Sequence, residues 1–160
     1  MKLCRQVPSM GNSIAVWLLA PLAVGMFACS GPSVPPENRE TAKPAVVYNV
    51  IEEWSIPNGG YGRAIVVDPA QRSEAGLLAL TDQLRQDTKA DRNAFVFIYD
   101  NSGAAKLRKA AFEARLSTRD MKLHDDHMIG TYVRNSNTGF HAITIALQGA
   151  AGPMKEIPLR

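Results

Sequence analysis

From Val46 onward the chain alternates between short apolar runs and helical stripes. The segment "VVYNVIEEWSI" (46–56) is rich in β-branched and aromatic residues and predicts a strand. "PNGG" (57–60) is a turn, and "YGRAIVVD" (61–68) predicts the second arm of a hairpin. In "SEAGLLALTDQLRQD" (73–87), Leu77, Leu80 and Leu84 recur on one helical stripe and Ser73 stands where an N-cap is wanted. "NAFVFIYD" (93–100) is a continuous apolar run, the pattern of a central strand. The alanine-rich "AAKLRKAAFEARL" (104–116) predicts a second helix, while "MIGTYVRN" (128–135) and "GFHAITIAL" (139–147) flank "SNT" as a closing hairpin. The resulting order is β-β-α-β-α-β-β. It predicts a single α+β domain over residues 46–148, with a five-stranded mixed sheet, two helices and a C-terminal tail at 149–160. The strand–helix–strand unit from Tyr61 to Tyr99 favours a parallel pair with a right-handed crossover. A second crossover in the same sense would place both helices on one face. Yet "AIVV" and "AFVFIY" are apolar on both faces, so the other face needs a cover.

The region before this domain has a different character. Lys2 and Arg5 open the chain, no acidic residue precedes Glu37, and "IAVWLLAPLAVGMFA" (14–28) is apolar. This is the layout of a secretory signal. The run contains Pro21 and falls short of the roughly 20 residues that a bilayer-spanning helix needs. "MFAC" (26–29) resembles the lipobox of bacterial lipoproteins, although Met26 and Phe27 depart from its commonest residues. That resemblance covers the first 30 or so residues and implies a lipidated Cys29 with the leader 1–28 removed. Attachment by two or more acyl chains is stable where one is marginal. Ser30 resembles an outer-membrane sorting residue, which implies a periplasm-facing outer-membrane anchor if the host is Gram-negative. Residues 29–45, from Cys29 through "SGPSVPPENRETAKPA", form a proline-rich tether. Fully extended, residues 30–45 reach at most about 55 Å, and as a flexible coil about 20–24 Å.

Charge and cysteine usage narrow the chemistry. The 18 basic and 15 acidic side chains give +3, but Lys2 and Arg5 belong to the leader, so residues from Cys29 onward are nearly neutral. Nucleic-acid binding needs a denser basic footprint and is not expected. Of the two cysteines, Cys4 lies in the leader and Cys29 at the anchor, so no thiol catalysis, disulfide or zinc–thiolate site is expected.

The candidate sites within the domain are weak signals. "HDDH" (124–127) places His124 and His127 beside two carboxylates, a set able to ligate a divalent metal, although a solvated loop explains it as readily. His141 is the remaining histidine, a candidate third ligand or a satisfied strand-end side chain. Asp68 and Asp100 each end an apolar strand. If those strands are parallel neighbours, both carboxylates reach one sheet edge, either as acid–base or Mg²⁺-binding groups or as turn caps. Glu52 shares a strand face with Tyr48, Val50, Trp54 and Ile56. An apolar setting would raise its pKa, whereas a bulge would put it in water. Arg108, Arg115 and Arg119 recur beside Phe112 as a basic face, fit for lipid headgroups, a partner or plain solvent. "NGGYG" (58–62) lies between strands, not at a helix N-terminus, so it is not a phosphate cradle. No nucleophile elbow is present.

These features lead to a lipid-anchored envelope protein, a protein-binding or adaptor module expected to be non-catalytic. Membrane lipid is its partner through Cys29, and an envelope protein or a second copy is its partner through the uncovered face. No cofactor is expected. The alternatives are a small metal- or carboxylate-dependent hydrolase at Asp68 and Asp100, and a cell-wall or small-ligand binding module with a concave pocket.

Overall fold

A computed structural model describes residues 45–57 and 59–160; the leader, Cys29 and most of the tether lie outside the described residues. The domain is α+β with one mixed sheet. Strands β1 (Tyr48–Ser55), β2 (Tyr61–Val67), β3 (Asn93–Tyr99), β4 (Met128–Asn135), β5 (Phe140–Ile145) and β6 (Lys155–Pro158) stand side by side in chain order. Only β2 and β3 run parallel, joined by α1 (Glu74–Asp87), and every other neighbour pair is antiparallel. The two hairpins and the parallel pair follow the sequence pattern.

Three expectations are corrected. The sheet has six strands, not five, because Lys155–Pro158 of the tail pairs with β5. "KEIP" carries a single aliphatic residue and a proline, which an edge strand tolerates but which gives no alternation to read. Among the described residues there are four α-helices, not two. The segment predicted as one helix breaks at Leu107 into α2 (Ser102–Lys106), capped by the Asn101 side chain, and α3 (Arg108–Phe112). "HDDH" is no loop but the end of α4 (Thr118–His127). There Ser117 Oγ accepts the Asp120 backbone N–H at 3.1 Å and donates to the Asp120 carboxylate at 2.8 Å. That arrangement is a working helix start. The buried position of α4 is filled by His124 where a periodic pattern looks for an aliphatic, so the stripe was invisible.

The third correction concerns the faces. The helices divide between them, because β3 and β4 are antiparallel and their helical connection is not a second parallel crossover. On one face, Ile65 and Val67 of β2, Val96 and Ile98 of β3, and Ile143 and Ile145 of β5 pack against Leu77, Leu80 and Leu84 of α1. On the other, Ala64, Phe97 and Tyr99 pack against Ala104 and Ala105 of α2. The apolar runs of β2 and β3 are thus two-sided because the chain covers both sides itself. Among the described residues no helix is long and apolar enough to cross a membrane.

Candidate functional site

The carboxylates and histidines singled out in the sequence occupy structural positions. Asp68 turns back to accept the Ala70 backbone N–H at 2.8 Å, starting a 3-10 turn at Pro69–Gln71. Asp100 is buried and closed from both sides. Arg72 Nη1 donates to its Oδ2 at 2.8 Å, and His127 Nδ1 donates to its Oδ1 at 2.6 Å. Asp68 thus serves as a turn cap, while Asp100 is committed to Arg72 and His127. The same Arg72 also donates to the carbonyls of Leu147 and Asp126, at 2.8 and 3.0 Å. It ties the start of α1, the end of α4 and the segment after β5 into one corner.

His124 spends both nitrogens. Nδ1 donates to Asp125 at 2.8 Å and Nε2 accepts from the Tyr99 hydroxyl at 3.0 Å. With His127 turned to Asp100, the two imidazoles do not converge. Among the described residues no group of three or more His, Cys, Asp or Glu is placed to hold a metal ion.

For Glu52 the structure follows the bulge alternative and not the apolar setting. The register shifts between Val50 and Glu52, and the carboxylate takes two bonds from Arg108, from Nε and Nη2, each at 2.9 Å. Those bonds hold its pKa below the ordinary value, opposite to the rise that an apolar setting would cause. The Arg108 guanidinium lies 3.6 Å from the Trp54 ring centroid. Trp54 faces Gly62 across the β1–β2 pair, where a Cβ would fall 2.0 Å from the indole. Arg115 pairs with Glu113 and Arg119 is exposed on α4, so the three arginines do not form one basic face.

What sequence reasoning missed is a groove of about 550 Å³ between α1 and strands β4 and β5. One wall is Asp82, Arg85 and Gln86 on α1, with Lys89 in the turn two residues past its end. The opposite wall is Tyr132, Arg134 and His141. Arg134 and His141 are direct cross-strand neighbours, and Tyr132 lies two residues before Arg134 on the same face. Among the described residues, neither Lys89 nor Arg134 forms an ion pair, and Arg85 pairs with no side-chain carboxylate. Arg63, Arg72 and Arg108, by contrast, are each closed by a carboxylate.

Two of the groove's cations are held by main-chain oxygens instead. Arg134 Nη1 donates to the Thr88 carbonyl at 2.6 Å, and Arg85 Nη2 to a main-chain oxygen of Arg160, the last residue of the sequence, at 2.8 Å. The amide carbonyl of Thr88 orients the Arg134 guanidinium without cancelling its charge, whereas an oxygen of a terminal carboxylate pairs with Arg85. Arg134 also caps the end of α1. A helix C-terminus carries only about half a negative charge, which is too little to neutralise both Lys89 and Arg134.

The histidine in the groove has a fixed proton. Thr88 Oγ1 donates to the Leu84 carbonyl at 2.8 Å, so towards the Tyr132 hydroxyl at 3.2 Å it accepts. The tyrosine proton is then spent on Thr88, and its oxygen accepts from His141 Nε2 at 3.0 Å. Hydrogen-bond logic therefore assigns the Nε2–H tautomer and leaves Nδ1 with a lone pair. Burial, then the Arg85 and Arg134 charges, hold the His141 pKa below the ordinary imidazole value, so the ring is neutral at pH 7. The earlier reading of His141 as a satisfied strand-end residue fits its Nε2 only. Comparison with protein-family models, curated proteins and solved structures gave no match to this chain.

Proposed function

We propose that this protein is a membrane-tethered binding module of a bacterial envelope, anchored through lipidated Cys29. Its groove between α1, β4 and β5 takes a small anionic ligand. The observation that carries the reading is a concave site lined by two cations without carboxylate partners, Lys89 and Arg134, beside Arg85. A volume of about 550 Å³ is in the range of small-molecule pockets, which span roughly 300–1,000 Å³. The hydrolase reading loses ground because Asp68 serves as a cap and Asp100 is tied to Arg72 and His127. The protein-adaptor reading rested on an uncovered apolar face, and α2 lies against that face. The outer-membrane placement rests on Ser30, and the partnership with membrane lipid on Cys29 and its lipobox-like setting.

The test uses the full chain extracted in detergent and a small-molecule fraction from its native envelope. That fraction is expected to raise the melting temperature of the wild type and not that of Lys89→Glu. Equal shifts in both proteins, or none in either, would remove the groove from consideration. Separately, Cys29→Ala is expected to release the protein from the membrane pellet; retention of that variant would sink the lipid anchor.

A further inference from the structure

We propose that the α2–α3 side of the domain docks onto an anionic bilayer surface through Lys106, Lys109 and Phe112. This rests on the lipid anchor at Cys29 and says which side of the domain the anchor holds against the membrane. Residues 102–119 carry five cations and a single carboxylate, Glu113. Arg108 is taken by Glu52 and Arg115 by Glu113. Lys106 and Lys109 are exposed and, among the described residues, have no ion pair or side-chain hydrogen bond. Asp120, just beyond, accepts from the Ser117 hydroxyl at 2.8 Å.

Phe112 continues the three-residue spacing of the two lysines, so it borders them on the helical surface. It is 65% exposed, although its ring is fixed from behind. Phe97 meets it edge-on at 5.4 Å, and the Arg108 guanidinium lies 5.5 Å from its centroid. An exposed aromatic beside lysines is what an interfacial helix presents to lipid. The ring enters the headgroup boundary while the ammonium groups meet lipid phosphates. Other exposed apolar side chains lack this setting. Leu123 lies on α4 close before Asp125 and Asp126, and Met154 precedes Lys155, which is paired with Glu74 at 2.7 Å.

The tether can bring this side to the bilayer. It leads into β1 at Tyr48, and Glu52, bonded to Arg108, lies about 13 Å further along that strand. That is less than the tether's flexible span of about 20–24 Å. One ring and two lysines bind a bilayer weakly by themselves, but a short flexible tether presents them at an effective concentration on the order of millimolar. The anchor retains the domain and the contact orients it. Because α1 packs on the opposite face of the sheet from α2, this orientation turns the groove away from the lipid.

The experiment places the lipidated protein in nanodiscs of phosphatidylcholine, alone or with about 30% phosphatidylglycerol, doped with a headgroup nitroxide lipid. Broadening of backbone amide signals reads proximity to the headgroups. In anionic discs residues 106–112 should broaden far more than 155–158 at the opposite edge of the sheet, and the contrast should fade in neutral discs and in high salt. Lys106→Glu combined with Lys109→Glu should shift the balance away from the lipid-facing orientation about tenfold or more. Phe112→Ser should weaken it several-fold. Lys155→Glu reverses a charge on the far edge strand and should leave the pattern unchanged. Amide shifts outside 102–113 report whether each variant keeps the fold. Broadening that is even over the domain or centred elsewhere, equal patterns in neutral and anionic discs, or an unchanged pattern in the double lysine variant would overturn the docking while leaving the anchor in place. A wild type that stays with neither disc removes the anchor, and the docking falls with it.

Discussion

Two arginines on opposite sides of the sheet, Arg108 and Arg134, are held in opposite ways. On the face carrying α2 and α3, Arg108 is 8% exposed, bonded twice to Glu52 and laid over Trp54. Its charge is cancelled where it sits, and the pair fastens α3 to β1. On the face carrying α1, Arg134 is bonded to the Thr88 carbonyl and Lys89 stands free, so positive charge is retained at the mouth of a groove. A guanidinium that is oriented and neutralised serves the fold. One that is oriented and not neutralised is available to a ligand. The contrast predicts that losing Arg108 will cost stability, whereas losing a free cation of the groove will cost binding.

The largest effect is expected at Arg108→Met. It removes both bonds to Glu52 and the stack on Trp54, and leaves a half-buried carboxylate without its partner. Breaking a buried pair typically costs about 3–5 kcal/mol; with the Glu52 side chain 30% exposed, about 3 kcal/mol is the expected loss. Urea unfolding of the full chain measures it. A loss below about 1 kcal/mol would mean that α3 is held by its apolar contacts alone.

The second effect has a pH signature. Because Arg108 lowers the folded-state pKa of Glu52, the unfolded chain takes up this proton first as pH falls. The stabilisation is complete above the ordinary carboxylate pKa near 4.5 and is lost as pH falls through the lowered folded value. Glu52→Gln should therefore cost about 1–2 kcal/mol at pH 7, a charge-assisted bond's worth, and the gap to wild type should close in acid. A gap that persists unchanged at pH 3 would put the stabilisation in packing, not charge.

The sequence conveyed the first face and the second in different measure. Strands, hairpins and α1 were legible because each is a local pattern: β-branched runs, a turn, and the Leu77–Leu80–Leu84 stripe capped by Ser73. The division of helices between two faces depended on β4 running antiparallel to β3, which no local pattern encodes. α4 was hidden because His124 fills its buried position. Glu52 was read as an anomaly since its partner lies 56 residues away. The groove is the extreme case. Asp82, Arg85, Gln86 and, just past the helix, Lys89 look like any solvated surface until β4 and β5 bring Arg134 and His141 against them. The signal available in advance was the hairpin around "SNT", whose register sets Arg134 opposite His141.

A smaller effect separates the hydrogen-bond chain behind the groove from the groove itself. Thr88→Val keeps shape and removes one hydroxyl. The Leu84 carbonyl keeps the Thr88 backbone N–H at 2.9 Å, so the cost should be about 1 kcal/mol. The Tyr132 hydroxyl, no longer committed to Thr88, is free to donate to His141 Nε2 and move the ring proton to Nδ1. Nitrogen shifts of the labelled imidazole report the tautomer directly. An unchanged tautomer in Thr88→Val would show that something other than this chain fixes the proton.

The smallest effect is the most telling. Lys89 is exposed and unpaired, so Lys89→Ala should change stability by no more than about 0.5 kcal/mol in the absence of ligand. Relief of repulsion with Arg134 makes a slight gain as reasonable as a slight loss. The same substitution should weaken anion binding several-fold, and more strongly at low ionic strength, where the charges across the groove are least screened. If Lys89→Ala instead destabilises the free protein by 1 kcal/mol or more, the lysine is carrying a structural load. The retained charge on this face would then belong to the fold, as it does on the other.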